Sequence, residues 1–151
     1  QIAKAKGAMV TGTCNPANAE LARRLGADST IGYNKEDLSA TENRFDAILD
    51  AYGHMKTGDA LRLLKKHGTY ATTMIKPLLF FNSFVATLLY GKRLTSSNLR
   101  SLPEDMEEME RLFAEKKLIP LIENYYTLEK SAEAFEMAEN GRPRGKVIVR
   151  I

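Results

Sequence analysis

The chain has 151 residues, 44% of them hydrophobic and 27% charged, with a net charge of +3. That is ordinary for a soluble globular protein and enough for one domain with a real core. The basic residues are scattered, with pairs at Arg23-Arg24, Lys65-Lys66 and Lys116-Lys117, and they read as solvated helix ends rather than a nucleic-acid patch.

A single cysteine, Cys14, excludes an internal disulfide and a cysteine-based zinc cluster, and fits an intracellular, reducing compartment. The longest apolar run, Leu78 to Tyr90, is too short to span a bilayer. The sequence opens with neither a signal peptide nor an initiator Met, and Gln1 falls inside a helical pattern.

In chain order, Gln1 to Lys6 reads as the last turns of a helix closed by Gly7. Met9 to Cys14 is a short strand. Asn15-Pro16 starts a helix, with Asn as cap and Pro at the first helical position. Ala17, Leu21, Ala22 and Leu25 give that helix one apolar face, and Gly26 ends it. Ser29 to Tyr33 is the next strand, and Asn34 to Arg44 a weak helix plus loop. Phe45 to Asp50 reads as a buried, central strand running into the small-residue turn Ala51 to Gly53.

Thr57 to His67 is expected as a helix with Ala60, Leu61 and Leu64 inward and Gly68 as its stop. Gly68 to Met74 is expected as a strand. Ile75 to Gly91 is an apolar excursion, helical over Phe84 to Tyr90. Arg93 to Leu99 fits a further strand. Pro103 opens a helix with acids early, lysines late, and an inner face of Met106, Met109, Leu112 and Phe113. Ile119 to Tyr126 is a strand with Pro120 at its start. Glu129 to Asn140 is a helix stopped by Gly141, and Lys146 to Ile151 a last strand. The alternation implies an α/β fold with a parallel sheet and helices on both faces. In such sheets ligands bind beyond the carboxyl ends of the strands, which puts Ala51 to Gly53 on the functional rim.

Catalytic constellations are scarce, and no catalytic residue is assigned. His54 lies at the rim, where a structural role is favoured. His67 precedes a helix-ending glycine and reads as a cap-side cation or simply as exposed. There is no metal-ligand spacing, GxSxG elbow or P-loop. A dinucleotide reading asks what ends the Met9 to Cys14 strand. An acid there would bind the ribose 2′-hydroxyl of NAD. Thr13, Cys14 and Asn15 are uncharged and leave room for a 2′-phosphate, which favours NADPH over NADH. Cys14 is either a cofactor neighbour or an inert buried thiol.

The segments Ala3 to Ala8, Glu20 to Asp28, Phe45 to Asp50, Ala134 to Glu136 and Gly141 to Val147 resemble the medium-chain dehydrogenase/reductase superfamily. Within it the chain is similar to the zinc-independent quinone oxidoreductase branch. The resemblance covers nearly everything except Ile75 to Leu99. It implies a Rossmann-like sheet lacking the first strand and its Gly-rich loop, with that gap between Met9-Cys14 and Phe45-Asp50. It also implies a division into residues 1–118, a partial dinucleotide-binding domain, and residues 119–151, a strand-helix-strand segment that packs on a separate catalytic domain.

The same resemblance implies NADPH as cofactor, no metal, and a quinone or enone as substrate. It carries over site residues one by one. Cys14, Asn15 and Asn18 lie in the adenosine-phosphate pocket, although some relatives carry Lys where Asn18 stands. Tyr33 lies beside the phosphate, or is an ordinary strand-end aromatic. Ala51, Tyr52 and Gly53 form the turn over the cofactor ribose, where relatives often have Gly-Gly in place of Gly53-His54. Thr72 and Thr73 face the nicotinamide side. Arg144, within a basic loop from Arg142 to Lys146, closes on the cofactor or is a solvated charge.

Two readings follow. One is the cofactor-binding portion of an NADPH-dependent quinone or enone oxidoreductase, inactive as this chain alone. The other is a non-catalytic structural or assembly subunit with an inherited fold. A homodimer or larger assembly through residues 78–99 is compatible with both. A hydrophobic lid over cleft or core is favoured over membrane-surface contact for Leu78 to Tyr90.

Overall fold

A computed structural model describes residues 1–33, 41, 44–74, 79–96, 102–140 and 143–151. Expectations for 34–40, 42–43, 75–78, 97–101 and 141–142, Arg142 and Gly141 among them, lie outside the described residues. Helix α1 (Ile2–Ala5) ends at Gly7, whose φ of +82° is the left-handed conformation glycine adopts without strain. Strand β1 (Thr11–Cys14) follows. The Asn15 side chain then accepts the Ala17 N–H and caps a short 3-10 turn, Pro16–Asn18, that feeds α2 (Ala19–Arg24). Strand β2 (Ser29–Gly32) pairs with β1 in parallel, Thr11 opposite Ser29 and Cys14 opposite Gly32.

Strand β3 (Phe45–Asp50), helix α3 (Thr57–Leu63), strand β4 (Leu64–Thr72), helix α4 (Leu79–Tyr90) and strand β5 (Arg93–Ser96) form the second unit. Its sheet is parallel, in the order β3-β4-β5. The core lies on it: Ala60 from α3, Leu64 and Tyr70 from β4, Ala86 from α4 and Leu94 from β5 are buried together, with Ile48, Met55 and Leu61 packed around them. Helix α5 (Pro103–Ala114) leads to β6 (Ile122–Thr127), a 3-10 turn Leu128–Lys130, α6 (Ser131–Asn140) and β7 (Lys146–Arg150). Strands β6 and β7 form a third parallel pair. The Gln1 carboxamide exchanges two bonds with the Ile119 backbone, donating at 3.0 Å and accepting at 2.7 Å, and ties α1 to the segment entering β6. No helix among the described residues is long and apolar enough to cross a membrane.

All strand pairs are parallel and alternate with helices, as the sequence implies. The single continuous sheet is not observed. Among the described residues β1 pairs only with β2, and β3 only with β4, so each keeps one edge free of strand pairing. This is the pairing expected on either side of a gap. It also corrects the expectation of a buried, central Phe45–Asp50: β3 is an edge strand, with Leu49 71% exposed, and β4 is the central one.

Two further corrections follow from packing. The helix expected to reach His67 ends at Leu63, because Leu64 already pairs with Phe45. His67 takes φ +63°, which no α-helix accommodates, and its N–H bonds the Gly91 carbonyl at 3.0 Å. On α5 only Leu112 of the expected inner face is buried. Met106, Met109 and Phe113 remain exposed, since the described residues cover only that one position.

Candidate functional site

Both carboxyl ends of the paired strands β3 and β4 carry a turn, and one side chain organises them. Asp50 is the last residue of β3. Its Oδ1 accepts the Gly53 N–H at 2.7 Å and the Tyr52 N–H at 3.3 Å. Its Oδ2 accepts the Met55 N–H at 3.0 Å and the Tyr70 hydroxyl at 2.9 Å. Short polar side chains that bond the backbone two or three residues on fold such turns locally. Here the carboxylate also reaches across the sheet to β4. Burial pushes the Asp50 carboxyl up, but the Met55 N–H, the Tyr70 hydroxyl and the Gly53 and Tyr52 N–H groups together bring it below its ordinary value. Burial, and then the bond to Asp50, push the Tyr70 phenol up to about 12.

The turn after β4 is stitched to the same frame. The Thr73 hydroxyl donates to the Ala51 carbonyl at 2.7 Å, and the Thr73 N–H to the Asp50 carbonyl at 3.3 Å. The Met74 N–H bonds Thr72 Oγ1 at 3.2 Å. Gly53 has φ +70°, and a Cβ placed on it would lie 2.3 Å from the Met74 Cγ. Only glycine fits there, for both reasons. Above this frame Tyr52 stands 81% exposed, edge-on to the exposed His54 with ring centroids 6.1 Å apart.

The residues singled out from the sequence fall into three groups. Ala51, Tyr52, Gly53 and Thr73 are brought together on the β3–β4 rim. Thr72 is there too, but it is fully buried with its hydroxyl engaged, so it supports the rim from beneath. Cys14, Asn15, Asn18 and Tyr33 gather at the carboxyl ends of β1 and β2, where the Tyr33 N–H bonds the Cys14 carbonyl at 3.3 Å. Tyr33 is exposed and Cys14 half-buried. The Asn15 side-chain oxygen serves as a helix cap.

Arg144 lies before β7, in a loop whose backbone Glu123 holds. The Glu123 carboxylate accepts the Arg144 N–H, and the Gly145 N–H at 3.1 Å. Asp50, Tyr70 and Glu123 are the supporting residues that sequence reasoning missed. Asp50 carried a local signal, an acid two and three residues before Tyr52 and Gly53. Tyr70 and Glu123 carried none, because their partners lie across a sheet or a loop. No group of three metal-ligating side chains occurs among the described residues.

Parallel strands with crossover helices and a polar rim at their carboxyl ends define an α/β fold of the nucleotide-binding type. Comparison with known proteins sharpens this. The family description "Zinc-binding dehydrogenase" matches residues 25–149. A mitochondrial NAD(P)H oxidoreductase RTN4IP1 of Bos taurus is 29% identical over the whole chain, which spans 44% of that protein. A chloroplastic quinone-oxidoreductase QR1 of Triphysaria versicolor is 27% identical over 99% of the chain and 47% of its own length. The solved structure of the quinone oxidoreductase from Coxiella burnetii superposes with a TM-score of 0.76 at 27% identity, over 99% of this chain and 47% of that one.

The chain belongs to the zinc-binding dehydrogenase family, an oxidoreductase family, and its relatives include quinone oxidoreductases of the medium-chain dehydrogenase/reductase superfamily. It spans about half the length of the curated relatives it matches.

Proposed function

We propose that these 151 residues are the cofactor-binding portion of an NADPH-dependent oxidoreductase that reduces a quinone or an enone. The observation that carries the reading is the rim. Its turn, Ala51 to Met55, is pinned by Asp50 at the carboxyl ends of β3 and β4, where a parallel sheet binds ligands. The residues there fit a dinucleotide. Gly53 allows close approach, Tyr52 offers an exposed ring, and the end of β1 has no acid to repel a 2′-phosphate. In this reading Cys14, Asn15, Asn18 and Tyr33 border the adenosine phosphate, Ala51 to Gly53 and Thr73 the ribose and nicotinamide, with Thr72 beneath. Arg144 closes on the charged groups from the loop that Glu123 holds.

When bound, NADPH would supply the hydride that, with a solvent proton, reduces a quinone to its hydroquinone. The chain's own residues bind and orient. In this reading reduction calls on the whole protein, since the chain spans about half the length of its relatives.

A second reading, a non-catalytic assembly subunit, is favoured by one observation. Phe84, Leu88, Leu89 and Tyr90 are all more than half exposed on α4 and offer an apolar surface within residues 78–99. Calorimetric titration of the protein at its natural length with NADPH, and with NADH as control, separates the two. Selective micromolar NADPH binding is the expected result. Binding of neither nucleotide overturns the oxidoreductase reading and leaves the assembly one.

A further inference from the structure

We infer that Asp50 and Tyr70 are a positioning pair: the buried Tyr70 hydroxyl fixes the Asp50 carboxylate in the one orientation that gathers three backbone N–H groups, and so sets the shape of the turn on which the dinucleotide rests. The inference rests on the dinucleotide reading of the rim and adds what shapes it.

The geometry is cross-strand. Tyr70 stands opposite Ile48, two residues before Asp50 on the same face of β3, so its long side chain reaches the carboxylate diagonally. The ring is wholly buried in the core with Ala60, Leu64, Ala86 and Leu94. Only its hydroxyl reaches the rim. Each Asp50 oxygen accepts two donors, and Tyr70 is the one donor of the four that comes from another strand. The other three belong to the turn and move with it. Tyr70 therefore references the turn to the core, as Thr73 references it to the end of β4 through the Ala51 carbonyl. Thr72 also shares a side-chain hydrogen bond with Tyr70 and accepts the Met74 N–H, which continues the network into the second turn.

One chemical consequence is specific. The Tyr70 proton is committed to Asp50 and the ring is fully buried, so this tyrosine is not the proton donor to a substrate at the rim.

Tyr70→Phe keeps the ring and the core and removes only the hydroxyl. In the protein at its natural length, two quantities are read alongside a melting curve. The first is the amide proton shifts of Tyr52, Gly53 and Met55 by NMR. They are expected to move, while amides of β1 and β2 stay in place. The second is the NADPH dissociation constant, expected to rise about tenfold for the loss of one hydrogen bond to a charged group.

Unmoved rim amides in a folded variant overturn the inference. Moved amides with unchanged NADPH affinity overturn it too, since the turn would then be shaped without effect on the ligand. If the wild-type protein binds no NADPH, the functional reading fails instead, and the amide shifts still decide whether the pair shapes the turn. Should Tyr70→Phe not fold, Asp50→Asn reports on the same amides.

Discussion

The pair β1–β2 and the sheet β3–β4–β5 are built from the same parallel strand-helix-strand units, yet among the described residues only the sheet carries a buried apolar cluster. Four of the five residues in the buried cluster come from β4, α3 and α4, and the fifth from β5. From β1, α2 and β2 only Ile31 and Gly32 are buried, while Met9 just before β1 is 91% exposed. The difference lies in layering. Helices α3 and α4 both pack on the β3–β4–β5 sheet, whereas among the described residues α2 is the helix beside β1 and β2. A parallel pair gains little from its own hydrogen bonds and depends on apolar faces being covered.

The largest effect should come from breaking the better-built half. Leu64→Ala removes a side chain that is 2% exposed at the centre of the cluster, and should lower unfolding free energy by about 2–5 kcal/mol in urea titrations. Ile31→Ala, in the β1–β2 pair, should lose clearly less. An equal loss would mean that the two halves share one core.

Gly53→Ala tests the rim of the larger sheet. It places a Cβ against Met74 at a positive φ, and should destabilise by about 1–3 kcal/mol. NADPH affinity should fall with it. A matching change at Gly12 in β1, whose Cβ would meet the Ala27 Cβ at an ordinary 3.7 Å, should be tolerated.

The rim also predicts an alkaline weakness. Tyr70 ionises near 10.0 when unfolded and only at about 12 when folded. The folded state therefore favours the protonated phenol. That contribution is complete below pH 10 and is lost as pH rises toward 12. Wild-type stability should fall over this interval more than that of Tyr70→Phe, as read by chemical denaturation at each pH. Asp50 works in the opposite direction. Its folded value lies below 3.8, so its contribution is present above that pH and lost as pH falls through the lower folded value.

The smallest effect belongs to the β1–β2 side. Asn15→Ala deletes the cap on the Ala17 N–H and should cost about 1 kcal/mol, visible as a small shift of the urea midpoint. NADPH affinity should drop modestly if Asn15 also borders the adenosine phosphate.

Much of the fold was legible in short-range patterns. Asn15-Pro16 starts the helical segment where expected, Gly7 and Gly26 sit at helix ends with positive φ, and the strands at Thr11, Ser29, Phe45 and Lys146 lie within the stretches read for them. These features are set by residues a few positions apart, through capping, backbone freedom and hydrophobic period. The place of the rim turn, Ala51 to Gly53, was legible in its small residues, whereas the role of Asp50 in it was not.

What the sequence by itself determined, then, is an alternating α/β chain of dehydrogenase type, with a small-residue turn from Ala51 to Gly53 at its rim. Tertiary structure alone decided that Leu49 of β3 is exposed, that α3 yields to β4 at Leu64, and that Thr72 faces inward. It alone brought the Tyr70 hydroxyl to Asp50, and Glu123 to the backbone of Arg144 and Gly145. The physical reason is common to all of these. Strand order, burial and cross-strand bonds join residues roughly twenty positions apart, and no local propensity records which distant neighbour a strand will meet.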